Sequence, residues 1–207
     1  MMQRIETSNS SNTPNFIGSW ILKDKEMCDE IVNFFEANPS DQGAGCIGGG
    51  VDESQKKTTD IPIKPKQLEQ EKYKIFNTYI NNVVNCFNDY KEQWPFLNTI
   101  KGMEIGTFNV QKYSPGGHFS AIHTERGSSS TMHRVLAFMT YLNDVDSGGE
   151  TYFQHFNLKI KPETGKTLIW PAEWTHAHKG EILNTGLKYI ITGWMHLPFN
   201  FQVPQKV

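Results

Sequence analysis

Short β-rich segments separated by Gly, Pro and Asp-Ser turns occupy the chain beyond Lys101, and they constrain the fold more than any other feature. Many short strands with turn signals between them are typical of a β-sandwich or a barrel. The segments that carry this pattern are 104–113, 134–142, 156–161, 166–170 and 188–196. The second half of the chain is therefore predicted to form a β core.

Two amphipathic stretches precede these strands. Apolar residues recur at helical spacing over 19–38 and over 66–92, and Pro39 and Pro95 close the two runs. Helices followed by strands predict an α+β fold with the helices packed on one face of the sheets. Because we find no internal repeat, we expect a flexible N-terminal tail over 1–18 and a single domain over 19–207, with its β core at about 101–198.

The segment between the predicted helices is rich in glycine and polar residues over 41–59. Residues 43–48 match the G-x-G-x-x-G pattern, but a dinucleotide site needs a strand before the glycines and a helix after them. Here a helix precedes the glycines instead. We therefore expect a mobile loop that closes over a substrate.

Charge and composition narrow the class of protein. The 207 residues carry 20 basic and 22 acidic side chains, for a net charge of −2, which argues against a general nucleic-acid binder. No apolar run approaches the roughly 18 residues of a membrane span, and the polar N-terminus does not resemble a secretory signal. Three cysteines at 28, 46 and 86 match no zinc pattern and predict free thiols. We expect a cytoplasmic protein without a membrane partner.

All seven histidines lie between residues 118 and 196. His123 and Glu125 are two positions apart, so on a strand both side chains would face the same side. Two histidines and one carboxylate form the facial triad of non-haem iron(II) oxygenases, which leaves three coordination positions open. His176 and His178 are both candidates for the third ligand, because they too are two positions apart.

The order of motifs in this half resembles that of the prolyl 4-hydroxylase-like 2-oxoglutarate/iron(II) dioxygenases. Lys188 follows His178 by ten residues and His176 by twelve, and the family's interval of about ten favours His178 as the distal ligand. The resemblance covers roughly 104–196. Its motifs are Tyr113-Ser114-Pro115-Gly116, His123-Thr124-Glu125, Tyr141-Leu142-Asn143, Gly148-Gly149-Glu150-Thr151, His178, Lys188 and Trp194.

The resemblance implies a jelly-roll core, the double-stranded β-helix, and an enzyme that uses Fe(II), 2-oxoglutarate and ascorbate. It implies hydroxylation of a C–H bond with release of succinate and CO2, and peptidyl proline converted to 4-hydroxyproline as the expected substrate and product. The implied iron ligands are His123, Glu125 and His178. Lys188, Tyr113 and Tyr141 are the implied contacts of the distal 2-oxoglutarate carboxylate.

Glu125 departs from the family pattern, which has Asp at this position. Glutamate is one methylene longer but carries the same charge and the same donor oxygens, so iron binding is expected to survive, with a risk of weaker affinity. The stretch 170–176 also resembles the phage-encoded branch of the family, which would place the protein in a host cytoplasm.

Other functions stay open at this stage. The substrate could instead be a free amino acid, another protein side chain or a nucleobase. A jelly-roll module could also hold a metal or ligand without turnover, and three N/O ligands with an open position suit catalytic zinc as well. A cation ten residues beyond a ligand favours the enzyme, since a simple metal binder has no use for it. The sequence does not fix an oligomeric state.

Overall fold

The computed structural model describes residues 2–5, 7 and 14–198. Within these residues two α-helices, α1 (Lys25–Ala37) and α2 (Lys74–Gln93), accompany fourteen strands. The strands are β1 (Met2–Arg4), β2 (Gly18–Leu22), β3 (Gly43–Ala44), β4 (Lys56–Lys57), β5 (Thr59–Ile63), β6 (Glu104–Ile105), β7 (Phe108–Tyr113), β8 (His118–His123), β9 (Arg134–Tyr141), β10 (Thr151–Phe153), β11 (Leu158–Ile160), β12 (Lys166–Pro171), β13 (His178–Gly180) and β14 (Lys188–His196).

The strands form two antiparallel sheets. The major sheet runs in the order β1-β2-β12-β9-β14-β7-β5-β3, with β6 also paired to β14. The minor sheet runs β11-β10-β13-β8-β4. Buried residues of both sheets, such as Ala137 on β9 and Phe153 on β10, share one apolar cluster, so the sheets face each other. The predicted α+β fold with a double-stranded β-helix (jelly-roll) core is confirmed.

The two helices cover the other face of the major sheet. Phe76 on α2 packs against Phe108 on β7 with ring centroids 5.8 Å apart. The Tyr79 hydroxyl lies 3.0 Å from the Thr140 hydroxyl of β9, so its polar atom is satisfied inside the core. The predicted position of the helices on one face is therefore confirmed, and it leaves the face toward the minor sheet free to form a site.

The first helix begins later than the sequence pattern predicts. Residues 18–22 form strand β2 between β1 and β12, and Trp20 is fully buried there. The helix starts after Asp24, whose side chain accepts a hydrogen bond from the Met27 amide at 3.0 Å. The prediction of helix from residue 19 was wrong because a short apolar run does not distinguish a buried strand from a helix.

The second helix is also shorter at its start. Residues 66–73, predicted as helix, lie in two 3₁₀ helices, Pro65–Glu69 and Glu71–Tyr73. The Gln67 side chain accepts from the Lys64 amide at 2.7 Å and donates to the Tyr73 hydroxyl at 2.8 Å. These contacts stabilise a compact local turn in place of the first two helical turns.

The N-terminal region differs from the expected tail over 1–18. Met2–Arg4 pairs with β2 as an edge strand, and Ile17 is buried. The rest of that prediction, residues 1, 6 and 8–13, lies outside the described residues, as do residues 199–207 of the predicted domain.

The segment over 41–59, expected to be a mobile loop, is attached to both sheets. β3 pairs with β5 of the major sheet, and β4 pairs with β8 of the minor sheet. This segment therefore bridges one end of the jelly roll. No helix in the described part of the chain has the length and apolarity that a bilayer crossing requires.

Candidate active site

A cavity of about 1190 Å³ lies between the two sheets. Every second residue of β14 lines it, from Lys188 through Ile190 and Thr192 to Trp194, as the two-residue period of a strand requires. His123 and His178 line it from the minor sheet. Residues of the segment 41–49 and of the loop 127–131 complete its wall, so the jelly roll presents one chamber with two loop-lined edges.

Strand register brings the two histidines together. His123 on β8 is paired directly with His178 on β13. The Nε2 atoms of the two rings lie 3.9 Å and 3.4 Å from Oε1 of Glu125. One ligand atom from each of the three residues fits within 4.8 Å of the others, and the described residues contain no second cluster of this kind.

Hydrogen bonds to the backbone fix the tautomer of both rings. His123 Nδ1 lies 2.9 Å from the Ala121 carbonyl, and His178 Nδ1 lies 2.8 Å from the His176 carbonyl. Since a carbonyl only accepts, each Nδ1 must donate, and each Nε2 faces the cluster. Burial, together with the charge of His178, lowers the pKa of His123 to about 4, so this ring is neutral near pH 7.

Glu125 does not lie on the strand that carries His123. Strand β8 ends at His123, and Glu125 occupies a bend beyond it. The expectation that both side chains project from one strand face was therefore wrong in detail, although the carboxylate does reach the two imidazoles. Thr124 donates to the Ala172 carbonyl at 2.8 Å, which fixes the backbone beside the bend.

The Glu125 carboxylate is buried and ionised. Burial by itself would raise its pKa, but the neighbouring imidazoles of His178 and His123, with a hydrogen bond from Trp194, hold the pKa well below its usual range. Trp194 Nε1 donates to Oε2 at 2.6 Å. The cluster therefore offers two imidazole nitrogen donors and one anionic oxygen donor.

His176 faces away from this cluster. Its Nε2 lies 2.8 Å from the Asn15 carbonyl, and its Nδ1 lies 3.0 Å from the Thr175 hydroxyl. Its ring packs against Phe156 with centroids 5.2 Å apart. His176 thus anchors the segment that leads into β2, while His178, two residues later, lies in the cavity.

Lys188 provides a buried cation in the same cavity. Register places it opposite Tyr113, and its Nζ lies 3.8 Å from the centre of that ring. It donates one hydrogen bond, to the Gly149 carbonyl at 3.0 Å. Burial lowers the pKa of Lys188 to about 7. Within the described part of the chain no carboxylate forms a salt bridge with it, so a carboxylate of a ligand could pair with Lys188.

The two tyrosines predicted beside Lys188 have different surroundings. Tyr113 lines the cavity and donates to the Gln111 side chain at 3.0 Å. Tyr141 is fully buried behind the wall, where its hydroxyl bonds Thr151 at 2.6 Å and the Ile160 carbonyl at 3.2 Å. Thr151 lines the cavity in its place. The structure therefore brings Tyr113 and Lys188 together and keeps Tyr141 one layer behind them.

Sequence reasoning assigned no role to Thr151 or Gly149, although both belong to the quoted Gly-Gly-Glu-Thr motif. Gly149 has a φ of +73°, and a Cβ there would lie 3.1 Å from the Lys188 side chain. A glycine suits both the backbone conformation and the close approach. The Gly-Gly-Glu-Thr motif could have predicted a contact with Lys188, since its glycine turn contains the Gly149 carbonyl that accepts the Lys188 hydrogen bond.

The donor chemistry of the cavity fits a non-haem Fe(II) ion and a dicarboxylate. Two imidazoles and one carboxylate on one side of an open chamber match the facial arrangement used by Fe(II) oxygenases. The Nε2 atoms of His123 and His178 point inward and would be the donors to a metal, because Nδ1 of each ring is held by a carbonyl. Lys188 supplies the counter-charge for a carboxylate, and Tyr113 and Thr151 lie on the same wall.

Comparison with known proteins points the same way. Residues 108–196 match the model of the 2OG-Fe(II) oxygenase superfamily. A probable prolyl 4-hydroxylase from Arabidopsis thaliana is 28% identical over 116 residues, which cover 43% of this chain and 40% of the relative. The first curated relatives are all matched over less than half of their own length.

Solved structures share the fold across nearly the whole chain. The viral collagen prolyl hydroxylase of Paramecium Bursaria Chlorella virus-1, solved as a 2OG complex, superposes with a TM-score of 0.63 at 16% identity, covering 95% of this chain and 96% of that one. A prolyl hydroxylase from Trichoplax adhaerens, in complex with a hypoxia inducible factor peptide fragment, gives 0.63 at 15% identity, covering 94% and 83%. The resemblance inferred from the motifs is confirmed.

Proposed function

We propose that this chain, whose β core is a 2OG-Fe(II) oxygenase domain, is an Fe(II)- and 2-oxoglutarate-dependent dioxygenase that hydroxylates proline in a peptide or protein. The observation that carries the proposal is that one cavity combines a His-Glu-His cluster with a buried cation. The first group suits a metal and the second suits the carboxylate of an oxoacid. The implied products are hydroxyproline, succinate and CO2.

The residue roles follow from the geometry of the cavity. His123, Glu125 and His178 would hold Fe(II) through two Nε2 atoms and one Oε1 atom. Fe(II) and 2-oxoglutarate, when bound, supply the chemistry of O2 activation, in which one oxygen atom enters the product hydroxyl and the other enters succinate. Lys188 would bind the distal carboxylate, with Tyr113 beside it. Tyr141 would act only indirectly, by orienting Thr151.

The edges of the cavity support an extended peptide as the substrate. On one side lie Gly43, Ala44 and Gly48, and on the other Gly127 and Ser128. Small and hydroxyl residues allow a peptide backbone to approach closely and leave room for a proline ring. The relative from Trichoplax adhaerens, which shares this fold, has a peptide bound. The net charge of −2 makes a nucleic-acid substrate a poor match.

Two further features belong to the proposal. Ascorbate is expected to restore activity after unproductive turnover, as the family resemblance implies. A cytoplasmic location, and a host cytoplasm if the gene is carried by a phage, agrees with the free thiols of Cys28, Cys46 and Cys86. Burial raises the pKa of Cys28 to about 12, so this thiol is unreactive at neutral pH.

The test is succinate formation from 2-oxoglutarate after anaerobic loading with Fe(II) and exposure to air, with proline-rich peptides added or withheld. Stimulation by one peptide, together with the mass gain of one oxygen atom on its proline, is the expected result. The matched control is Lys188→Met, which is expected to lose the activity but keep the metal.

Each other outcome identifies the part of the proposal that is wrong. Turnover that no peptide stimulates would reject proline as the substrate and redirect the search to free amino acids, other protein side chains and nucleobases. Bound iron without any turnover would favour a jelly-roll module that holds a ligand without catalysis.

A further inference from the structure

Glu125 is held by two side chains that belong to neither the cation site nor the histidine pair. Its Oε2 accepts the Trp194 indole N–H at 2.6 Å. Arg134 lies 3.5 Å from the same oxygen and donates to the Glu125 backbone carbonyl at 3.1 Å. The carboxylate and the backbone of one residue are therefore both fixed by groups on the major sheet.

The two holding side chains also fix each other. The Arg134 guanidinium carbon lies 3.5 Å from the centre of the Trp194 ring, in a cation-π contact. Register explains the pairing, because the strands β9 and β14 are neighbours and Trp194 is paired with Ala137 near the Arg134 end of β9. The stacked pair forms a rigid support beside the cluster, since neither planar group can rotate without losing the other.

The two oxygens of the Glu125 carboxylate therefore have different contacts. Oε1 faces the Nε2 atoms of His123 and His178, at 3.9 Å and 3.4 Å. Oε2 is occupied by the indole N–H and lies against the guanidinium. Glutamate has one more rotatable bond than aspartate, so without such contacts its carboxylate could turn either oxygen, or both, toward a metal.

We infer that Trp194 and Arg134 are positioning residues that hold Oε2 of Glu125, so that this longer carboxylate presents a single oxygen to the metal where its relatives use aspartate. This inference rests on the proposed metal centre. The contacts of Trp194 and Arg134 would compensate for the greater length and freedom of glutamate at this position. A carboxylate that bound through both oxygens would occupy one of the positions needed for the oxoacid or O2.

The experiment uses Co(II) as the metal probe and the full chain, with affinity measured by calorimetry and coordination followed by visible absorption. Trp194→Phe keeps an aromatic ring for Arg134 but removes the N–H donor. We expect Co(II) affinity to fall about 10- to 100-fold, as for other losses of a partner to a metal-bound ligand, and the absorption spectrum to change. Trp174→Phe is the matched control, since Trp174 is exposed, and it is expected to leave both unchanged.

A double-mutant cycle with Glu125→Asp tests whether the support serves the longer side chain. In the wild-type background Glu125→Asp should weaken Co(II) binding, because the shorter side chain cannot keep both the hydrogen bond from Trp194 and the position beside the two histidines. In the Trp194→Phe background the same change should cost much less, since the contact is already absent. Additive effects, or a Trp194→Phe protein with wild-type affinity and spectrum, would overturn the inference.

The same measurements separate this inference from the metal centre itself. If Glu125→Ala binds Co(II) as tightly as the wild type, the metal centre is wrong and the positioning role fails with it. If Glu125→Ala loses affinity while Trp194→Phe does not, the metal centre stands and only the positioning role fails. Thermal unfolding of each variant checks that it is folded before binding is measured.

Discussion

The two faces of the major sheet differ in the polar groups that they bury. The face under the helices is filled by aromatic and aliphatic side chains, and its polar atoms, such as the Tyr79 and Thr140 hydroxyls, bond each other. The face toward the minor sheet contains a cavity with a buried cation, Lys188, and a buried carboxylate, Glu125. One sheet therefore stabilises the molecule on one side and carries groups that are costly to bury on the other.

This difference indicates where stability and function are separable. Close-packed apolar side chains contribute to the free energy of folding in proportion to the surface and contacts they bury. Charged groups in a cavity reduce that free energy until a ligand compensates them. Substitutions on the helix side should therefore change stability with little effect on binding, and substitutions in the cavity should do the reverse.

The largest expected effect is on the helix side. Phe76 is fully buried and packs against Phe34 and Phe108. Phe76→Ala should lower the free energy of unfolding by about 3–5 kcal/mol, because it removes contacts and leaves a cavity. Urea unfolding measures the change. Calorimetry on the folded fraction should give an unchanged affinity for Co(II), and a parallel loss of affinity would mean that the two faces are coupled.

The next effect is on the cavity side. His178→Ala should reduce Co(II) affinity more than about 100-fold and abolish succinate formation, because it removes one of three proposed ligands. His176→Ala is the matched comparison, since the two histidines are neighbours but only His178 faces the cluster. His176→Ala should leave Co(II) affinity within a few-fold and lower the unfolding temperature, as it breaks the contact with Asn15. Equal losses of affinity in both variants would contradict the assignment.

The smallest expected effect is a gain in stability that varies with pH. The pKa of Lys188 is lowered from 10.5 to about 7 on folding, so between those values the unfolded chain binds more protons and stability rises with pH. Lys188→Met removes this cost of burial, so it should stabilise the protein by on the order of 2 kcal/mol at pH 6. The gain should shrink toward pH 10, where the unfolded state also loses its proton.

Urea unfolding of the wild type and Lys188→Met at pH 6 and pH 9 makes this measurement. Isothermal titration calorimetry with 2-oxoglutarate is the companion test. Lys188→Met should no longer bind 2-oxoglutarate, and the wild type should bind it less tightly as pH rises above about 7, the pKa of Lys188. A stabilisation that does not change with pH would mean that the packing of methionine, and not the removal of a charge, is responsible.

Local pattern identified both α-helices and six of the fourteen strands, and it was less accurate at their boundaries. The strand predicted at 188–196 has those bounds in the structure, because its run of apolar and aromatic residues is long enough to distinguish a strand from a helix. β2 was missed, since a five-residue apolar run has the same composition in a strand and in a helix. The short strands β10 and β13 were missed too, because three residues carry no measurable period.

The candidate site shows the same division. Motif order and the ten-residue interval brought His123, Glu125, His178 and Lys188 forward from the sequence, and the structure gathers all four in one cavity. Tyr141 was grouped with Lys188 because the family resemblance implied it, but a tyrosine on a strand can point its hydroxyl to either side of the sheet. The side to which the Tyr141 hydroxyl points depends on packing against β10, and here the hydroxyl forms a hydrogen bond with Thr151.

Residue type, period and spacing along the chain were enough to predict the fold class, the family resemblance and the residues that can hold a metal and an anion. Three contacts could be read only from the folded chain: His178 faces His123, the Gly149 carbonyl accepts a hydrogen bond from Lys188, and Trp194 and Arg134 hold one oxygen of Glu125. Those contacts join residues tens of positions apart. They are set by strand register and by packing between sheets, which no local pattern encodes.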